Sequence, residues 1–265
     1  MSDHGRMHAP SSDVGGPAST DETADGPPAQ PHRFPRVTSF RARRSTLSPA
    51  QQQTWDRLWP ELGIYARDEH SRPVVDLDTE AWFGRSAPLI LEIGSGTGTS
   101  TLAMAQAEPD LDVIAVEVYR KGLAQLLSAI DRTMSTSAPV TNLRMVRGDG
   151  VDVLEHMFGS QTLTGVRVFF PDPWPKSRHH KRRLLQPATI ALIADRLRPG
   201  GILHAATDHL GYAEYIAEVG DAEPLLRRVK MTDDIPISVA RPVTKYQRKA
   251  LAGTEVAELV WEKRP

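Results

Sequence analysis

Cysteine is absent from this chain of 265 residues. Its absence excludes disulfide bonds, cysteine nucleophiles and thiolate zinc sites. Long apolar segments are absent as well, since no run approaches the ~18 residues that cross a bilayer. The N-terminus lacks the charged-then-apolar layout of a secretory signal, and the nine histidines show no ligand spacing with carboxylates. We therefore expect a cytoplasmic protein with no membrane segment and no metal.

Net charge is also nearly absent, because 32 Lys and Arg balance 33 Asp and Glu to give a formal charge of −1. A surface that binds a polyanion would therefore need basic residues clustered locally. Two such clusters exist: residues 33–44 contain five arginines and no acid, and residues 176–183 contain five lysines and arginines. One cluster alone is typical of a solvated face, but two in a near-neutral protein favour binding to nucleic acid.

The composition also divides the chain into regions. Residues 1–32 carry five acids against one arginine, amid Gly, Pro and Ser, which is typical of a disordered acidic tail. Residues 33–66 are predicted to form a basic segment and a lead-in helix, the helix covering 49–66. Residues 67–265 form the predicted catalytic domain. The sequence leaves open whether the protein is a monomer or a homodimer.

Short apolar runs alternate with helical patterns from about residue 88. This alternation predicts a parallel sheet with helices on both faces. The late segments 225–231 and 256–261 have no clear helix between them and are expected to pair in antiparallel fashion. The predicted class is therefore α/β: a doubly wound, Rossmann-like sheet, mostly parallel with an antiparallel C-terminal strand. The predicted strands are 88–93, 112–116, 142–146, 166–170 and 201–206, and the predicted helices are 98–107, 119–131, 150–157, 184–197 and 210–219.

The first strand of this sheet runs into a glycine-rich turn. Its glycines, Gly94, Gly96 and Gly98, permit a tight turn and a close approach of a cofactor to the backbone. A dinucleotide fingerprint would have its third glycine at position 99, which is Thr99. The spacing found here, with the acid Glu92 two residues upstream, suits S-adenosylmethionine. That cofactor has no pyrophosphate, but it carries an ammonium group that Glu92 can face.

Two further acids follow predicted strands. Glu117, just past the second strand, can accept hydrogen bonds from both ribose hydroxyls of the cofactor or can cap the next helix. In combination with Glu92 and the turn, the ribose role is the better interpretation. Asp149, after the third strand, can contact the adenine amino group or simply cap a helix.

The loop after the fourth strand carries the most unusual sequence, from Pro171 to Arg183. Prolines on both sides of Asp172 restrict the local backbone. Trp174 offers a flat face on which a base can stack, and the cations that follow can hold phosphates. The alternative is an Asp-Pro turn with a structural tryptophan and a charged helix start.

In this loop the signature P-D-P-W-x-K-x-R-H-x-K-R-R runs without a gap, and here the sequence resembles the bacterial tRNA (guanine-N7)-methyltransferases. The resemblance covers residues 36–265 and implies a Rossmann-like methyltransferase fold, S-adenosylmethionine as cofactor and tRNA as substrate. It implies that Asp172 is catalytic. The cofactor contacts that it implies are Glu92, Glu117, Asp149 and Asp172, and the substrate contacts are Lys176, Asp208, Thr244, Lys245, Tyr246 and Gln247.

The sequence departs from the family at Gln247, where the family often has an acid. A role that needs a carboxylate at this position is therefore not expected here.

Two other classes of function compete with methyl transfer. A nicotinamide oxidoreductase is disfavoured by the early third glycine and by the cationic loop after the fourth strand. A catalytically silent RNA-binding protein is disfavoured because both the cofactor turn and the Pro-Asp-Pro loop are intact.

Overall fold

The computed structural model describes residues 46–241 and 256–265. The predicted acidic tail over 1–32, the arginine cluster over 33–44 and the segment Thr244–Gln247 lie outside the described residues. The described residues belong to a single unit that spans Val37–Pro265. No helix among them combines the length and the apolar character needed to span a bilayer.

The described residues form one sheet of eight strands, in the spatial order β1-β4-β3-β2-β5-β6-β8-β7. All pairs from β1 to β6 are parallel, whereas β8 runs antiparallel to both of its neighbours. The strands are β1 Gly63–Tyr65, β2 Leu89–Ile93, β3 Asp112–Glu117, β4 Leu143–Arg147, β5 Leu163–Phe169, β6 Leu197–Thr207, β7 Leu226–Arg228 and β8 Ala257–Lys263.

Helices cover both faces of this sheet, as the burial of β2 on both sides requires. One apolar cluster packs α5, α6 and α7 against one face, and the other packs α1, α3 and α4 against the opposite face. The helices are α1 Pro49–Leu62, α2 Thr79–Phe83, α3 Thr99–Ala107, α4 Arg120–Thr133, α5 Gly150–His156, α6 Pro187–Arg196 and α7 Leu210–Ala222, with a 3₁₀ helix at Ser177–Arg182.

This architecture confirms the predicted fold class, including the antiparallel C-terminal strand. The five predicted central strands and the five helices between and after them are present. Their ends shift by up to about four residues, the most at β6, which begins at Leu197 where the prediction began at residue 201. The prediction missed β1 and α2. It also extended the lead-in helix to residue 66, whereas α1 ends at Leu62 and the chain continues as β1, which pairs with β4.

The start of α1 has a local cause in the sequence. Ser48 and Gln51 form a capping box, each side chain bonding the other's backbone amide, and Pro49 occupies the first turn. Trp55 and Trp59 are then one turn apart and stack with ring centroids 4.1 Å apart. Both rings are buried in the cluster that α4 shares. The lead-in helix is therefore part of the same core as the sheet.

We predict that Trp59→Ala lowers the free energy of unfolding of the whole protein by about 3–5 kcal/mol, because it leaves a cavity under the sheet. Chemical denaturation followed by circular dichroism measures this loss. Gln53→Ala, on the exposed side of α1, is the control and leaves the midpoint unchanged within error. A single unfolding transition in Trp59→Ala with the same midpoint as wild type would show that α1 does not contribute to the common core.

Candidate active site

The parallel strands bring their carboxyl ends to one edge of the sheet, where ligands bind in doubly wound folds. The acids predicted from the sequence meet at this edge. Each lies in the last residues of a strand or in the loop that follows: Glu92 (β2), Glu117 (β3), Asp149 (β4), Asp172 (β5) and Asp208 (β6). Because β2 pairs with both β3 and β5, the glycine turn lies between the loops that follow those two strands.

The glycine turn has a backbone that other residues rarely adopt. Gly94, Gly96 and Gly98 have φ values of +81°, +58° and +73°. A Cβ atom added to Gly94 or to Gly96 would meet no atom within 4 Å, so the backbone there is open to a ligand. Gly98 differs, because its Cβ would lie 2.5 Å from Leu126. Gly98 therefore allows α4 to pack against the turn, and its predicted contact with the cofactor stays a prediction.

Glu92 is a buried acid in β2. Its Oε1 accepts a hydrogen bond from the Thr101 hydroxyl at 2.8 Å. Its Oε2 is also buried and has no hydrogen-bond partner among the described residues. Burial raises the pKa of Glu92 above its ordinary value, against the opposing effects of the Thr101 hydrogen bond and of the charges on Arg167 and Arg241. A cationic ligand would supply the missing partner.

Glu117 links two segments of the site. Its Oε2 accepts from the amide of Gly96 at 2.8 Å, and its Oε1 accepts from the amide of Tyr119 at 2.9 Å. The first bond holds the glycine turn, and the second holds the N-cap residue of α4. The sequence left a ribose contact and a helix cap as alternatives. The structure shows that the carboxylate supports the helix start and the turn together, and the ribose contact stays a prediction.

Gly122, which brings α4 close to the turn, was not predicted as a residue of the site. A Cβ at this position would lie 2.2 Å from the carbonyl oxygen of Gly96. Any side chain would therefore push the helix and the turn apart. The signal was present in the sequence, since a glycine within a strong helical pattern often marks a close approach of backbones.

Asp149 begins α5. Its Oδ1 accepts from the amide of Val151 at 2.9 Å, which is the bond of an N-terminal cap. The capping alternative is thus confirmed, and a contact with adenine stays a prediction. Asp208 lies exposed just after β6. Its neighbour His209 caps α7 by accepting from the amide of Tyr212 at 3.1 Å.

Asp172 and Lys176 project from the loop after β5. Both are exposed, and Asp172 makes no hydrogen bond to the residues described here. Two residues of this loop have the left-handed backbone that non-glycine residues avoid: Phe170 at φ +52° and Trp174 at φ +44°. Such conformations are unfavourable by about 1–2 kcal/mol each, so the surrounding contacts must impose them.

Trp174 is not the stacking platform that the sequence suggested. Only 4% of it is exposed. The guanidinium of Arg182 covers its ring at 3.8 Å, and His179 meets the ring edge-on at 5.9 Å. The stacking interpretation is therefore wrong, because a buried ring already in contact with Arg182 has no face to offer a base.

Arg183 also departs from the prediction that the cluster over 176–183 binds phosphates. It is 5% exposed, its Nε donates to the carbonyl oxygen of Pro173 at 3.0 Å, and its guanidinium lies over the rings of Tyr212 and Tyr215. The cations of the cluster that face solvent are Lys176, Arg178 and Lys181. The basic surface of this loop is accordingly smaller than its composition suggested.

Comparison with known proteins places these features in a family. A family model described as "Putative methyltransferase" matches residues 86–258. The tRNA (guanine-N(7)-)-methyltransferase of Mycolicibacterium gilvum (strain PYR-GCK) is 71% identical over 266 residues, which cover 100% of each chain. That of Mycolicibacterium vanbaalenii is 72% identical over 272 residues, 99% of each chain. This chain belongs to the tRNA (guanine-N7)-methyltransferase family.

Similarity to solved structures is weaker. The aminoglycoside resistance methyltransferase NpmB1 aligns with 74% of this chain and 97% of its own, at 15% identity and a TM-score of 0.48. That likeness adds nothing to the family assignment. The expected lack of a metal stays a prediction. Among the described residues, Asp152, Glu155 and His156 of α5 place potential ligand atoms within 4.8 Å of one another, but Asp152 pairs with Arg67 at 2.8 Å.

We predict that Glu92→Gln stabilises the ligand-free protein at pH 8 by about 1–3 kcal/mol, because it removes a buried charge that lacks a full set of partners. A carboxyl whose pKa is raised by folding binds more protons when folded, so wild-type stability falls as pH rises from about 4.3 through the raised pKa. The variant lacks this fall. The difference in stability between the variant and wild type should therefore vanish near pH 3.5 and be larger at pH 8.

Thermal unfolding between these two pH values measures the effect, and calorimetry with S-adenosylmethionine measures the expected loss of cofactor affinity. Glu69→Gln, whose side chain is 87% exposed, is the matched control and changes neither quantity. A variant that is less stable than wild type at pH 8 would contradict the assignment of Glu92 as an uncompensated charge.

Proposed function

We propose that this protein transfers a methyl group from S-adenosylmethionine to N7 of a guanine in tRNA, giving 7-methylguanosine. The observation that carries the proposal is the full-length similarity to tRNA (guanine-N(7)-)-methyltransferases. It is supported by the position of the two distinctive loops, because the glycine turn and the Pro171–Arg183 loop follow the adjacent strands β2 and β5. A tRNA substrate also fits the cytoplasm, where we propose that the protein acts.

The residues at the carboxyl edge fit the cofactor. S-adenosylmethionine supplies an electrophilic methyl group on a sulfonium centre. The buried Oε2 of Glu92, which lacks a partner among the described residues, suits its ammonium group. The open backbone at Gly94 and Gly96 leaves room for its approach. Two backbone amides hold the carboxylate of Glu117 in place at the carboxyl edge, where a ribose contact is proposed.

Methylation at N7 makes modest demands on acid–base chemistry. Guanine N7 has a lone pair and no proton, so it can attack without prior deprotonation. The purine gains positive charge as the bond forms. A carboxylate near the ring stabilises this charge, and it can also orient the base by accepting from N1–H and the exocyclic amine. Asp172, exposed in the loop after β5, is the residue that we assign to this role.

Binding of tRNA is assigned to exposed cations and to residues named by the family resemblance. Lys176, Arg178 and Lys181 face solvent beside Asp172 and can contact phosphates. Asp208 is exposed at the end of the next strand, β6, which pairs with β5. The remaining proposed contacts, Thr244–Gln247, lie outside the described residues and depend on the resemblance alone.

Mass spectrometry of nucleosides tests the activity. Transfer RNA transcribed in vitro is incubated with the full chain and S-adenosylmethionine, then digested and compared with 1-methylguanosine, N2-methylguanosine and 7-methylguanosine standards. We expect 7-methylguanosine to be the product. Methylation at another guanine atom would refute the proposed regiochemistry. RNA binding without any methyl transfer would favour the catalytically silent alternative.

We predict that Glu117→Ala weakens S-adenosylmethionine binding by about 1.5–3 kcal/mol and leaves tRNA affinity nearly unchanged, because charge-assisted hydrogen bonds to the cofactor are lost. Isothermal titration calorimetry measures the first quantity and filter binding the second. Asp131→Ala is the control for a general loss of stability. It removes the ion pair between Arg57 of α1 and Asp131, which lies at the end of α4 away from the site. Unchanged cofactor affinity would limit Glu117 to its structural role.

We predict that Asp172→Asn lowers kcat about 100-fold, because the variant lacks the negative charge that stabilises the positive charge developing on the purine. Its tRNA affinity should stay close to that of wild type, because phosphate contacts dominate affinity. Lys176→Ala should instead weaken tRNA binding and turnover together. Single-turnover kinetics with saturating enzyme separate the two patterns. Full single-turnover activity in Asp172→Asn would remove this residue from the catalytic step.

A further inference from the structure

The loop that presents Asp172 is held between two arginines with little exposure to solvent. Arg241 contacts the rings of Phe169 and Phe170, just before Asp172 in the chain. Arg183 bonds the carbonyl oxygen of Pro173, just after Asp172. Neither arginine is explained by the proposed contacts with cofactor or tRNA. Their contacts instead converge on the few residues that set the direction in which the Asp172 side chain projects.

The first arginine is Arg241, whose side chain is 2% exposed. Its guanidinium lies 4.8 Å from the ring centroid of Phe170, the residue with the left-handed backbone before Pro171. The amide of Phe170 donates to the carbonyl oxygen of Ala206 at 2.8 Å. A ring packed under Arg241 and an amide bonded to β6 together hold Phe170 in a conformation that it would not adopt by itself.

Arg241 is itself fixed from the sheet. Its Nη2 and Nε donate to Oε1 of Glu258 at 2.7 and 3.2 Å, while Oε2 of Glu258 bonds Nε2 of the fully buried His204 at 2.7 Å. Burial would raise the pKa of Glu258, but the hydrogen bonds from His204 and Arg241 outweigh it and keep that pKa below its ordinary value. A charged carboxylate therefore anchors Arg241 to β6 and β8.

The second arginine is Arg183. Its Nε donates to the carbonyl oxygen of Pro173, and its guanidinium lies 4.8 and 5.0 Å from the ring centroids of Tyr212 and Tyr215 on α7. These rings are fixed in turn: the hydroxyl of Tyr212 accepts from the amide of Leu185 at 3.2 Å, and the hydroxyl of Tyr215 donates to Gln186 at 3.0 Å. Arg183 thus ties the loop to the first turns of α7, the helix that follows β6.

We propose that Arg183 and Arg241 are positioning residues that set the geometry of methyl transfer. They hold the two ends of the segment 170–173, which we call the Asp172 turn. The inference rests on the proposed function. It assigns to Arg183 a role opposite to that of its exposed neighbour Arg178, although both belong to the same short motif. Arg178 is exposed to solvent, where the proposed tRNA phosphates would lie, whereas Arg183 bonds the backbone beside Asp172.

Kinetics and salt dependence separate these roles. Arg183→Lys keeps the positive charge but cannot both bond Pro173 and cover two tyrosine rings. We expect its kcat to fall at least tenfold, with the Kd for tRNA and the slope of log Kd against log salt unchanged. Arg178→Gln is the matched control from the same motif. It should raise Kd and reduce the magnitude of the slope by about 1, because one phosphate contact is lost.

Variants outside the loop guard against simple misfolding. Tyr215→Leu removes one ring beneath Arg183, and Glu258→Gln weakens the anchor of Arg241. Each should lower kcat while S-adenosylmethionine affinity stays within twofold of wild type. The double variant Arg183→Lys/Tyr215→Leu should lower kcat by a smaller factor than the product of the two single-variant factors, because both changes release the same end of the Asp172 turn.

Hydrogen–deuterium exchange gives a readout that does not depend on activity. In Arg183→Lys and Glu258→Gln, amide exchange should rise in peptides covering residues 169–176 and stay unchanged in peptides from β2 and β3. Unchanged exchange there, or a kcat within twofold of wild type in Arg183→Lys, would overturn the proposal. Failure of wild-type protein to form 7-methylguanosine would instead refute the proposed function, and the exchange data would still decide whether the arginines hold the turn.

Discussion

The carboxylate of Glu117 accepts hydrogen bonds from the amides of Gly96 and Tyr119, and the candidate site depends on this pair of bonds. They join the glycine turn after β2 to the start of α4. The two segments can approach because Gly122 has no side chain to separate them. A turn of free glycines would lose conformational entropy on binding a ligand. Here that loss has already occurred in folding, so the ligand meets a preorganised surface.

Glu92 shows what such a surface costs in stability. It lies in a strand whose other residues are aliphatic, and folding buries a carboxylate oxygen that lacks a partner among the described residues. The raised pKa is the direct consequence of that burial. A hydrophobic side chain would suit the sheet better, and the proposed contact with the ammonium group of the cofactor is the reason that we give for an acid here. Asp172 has the opposite environment, since its own charge is exposed whereas the side chains of Arg183 and Arg241, which contact the residues on either side of it, are buried.

Much of the fold was predictable because its determinants are local in the chain. Buried parallel strands are short aliphatic runs, and the helices between them have their own periodicity and caps, so the α/β class and the central strands followed from the pattern alone. β1 was not predictable. Three residues, Gly63–Tyr65, are too few for a periodic signal, and their pairing is with β4, about eighty positions later in the chain.

The same distinction applies to the site. The pattern of residues is enough to show which acids follow strands, and hence that Glu92, Glu117 and Asp172 lie at one edge of the sheet, because parallel strands end on the same side. The surroundings of Trp174 and Arg183 are different, since they became known from the folded chain alone. Both have the residue types expected for binding RNA, yet both are buried. Burial depends on neighbours distant in the chain, such as the α7 tyrosines beneath Arg183, which no local pattern reveals.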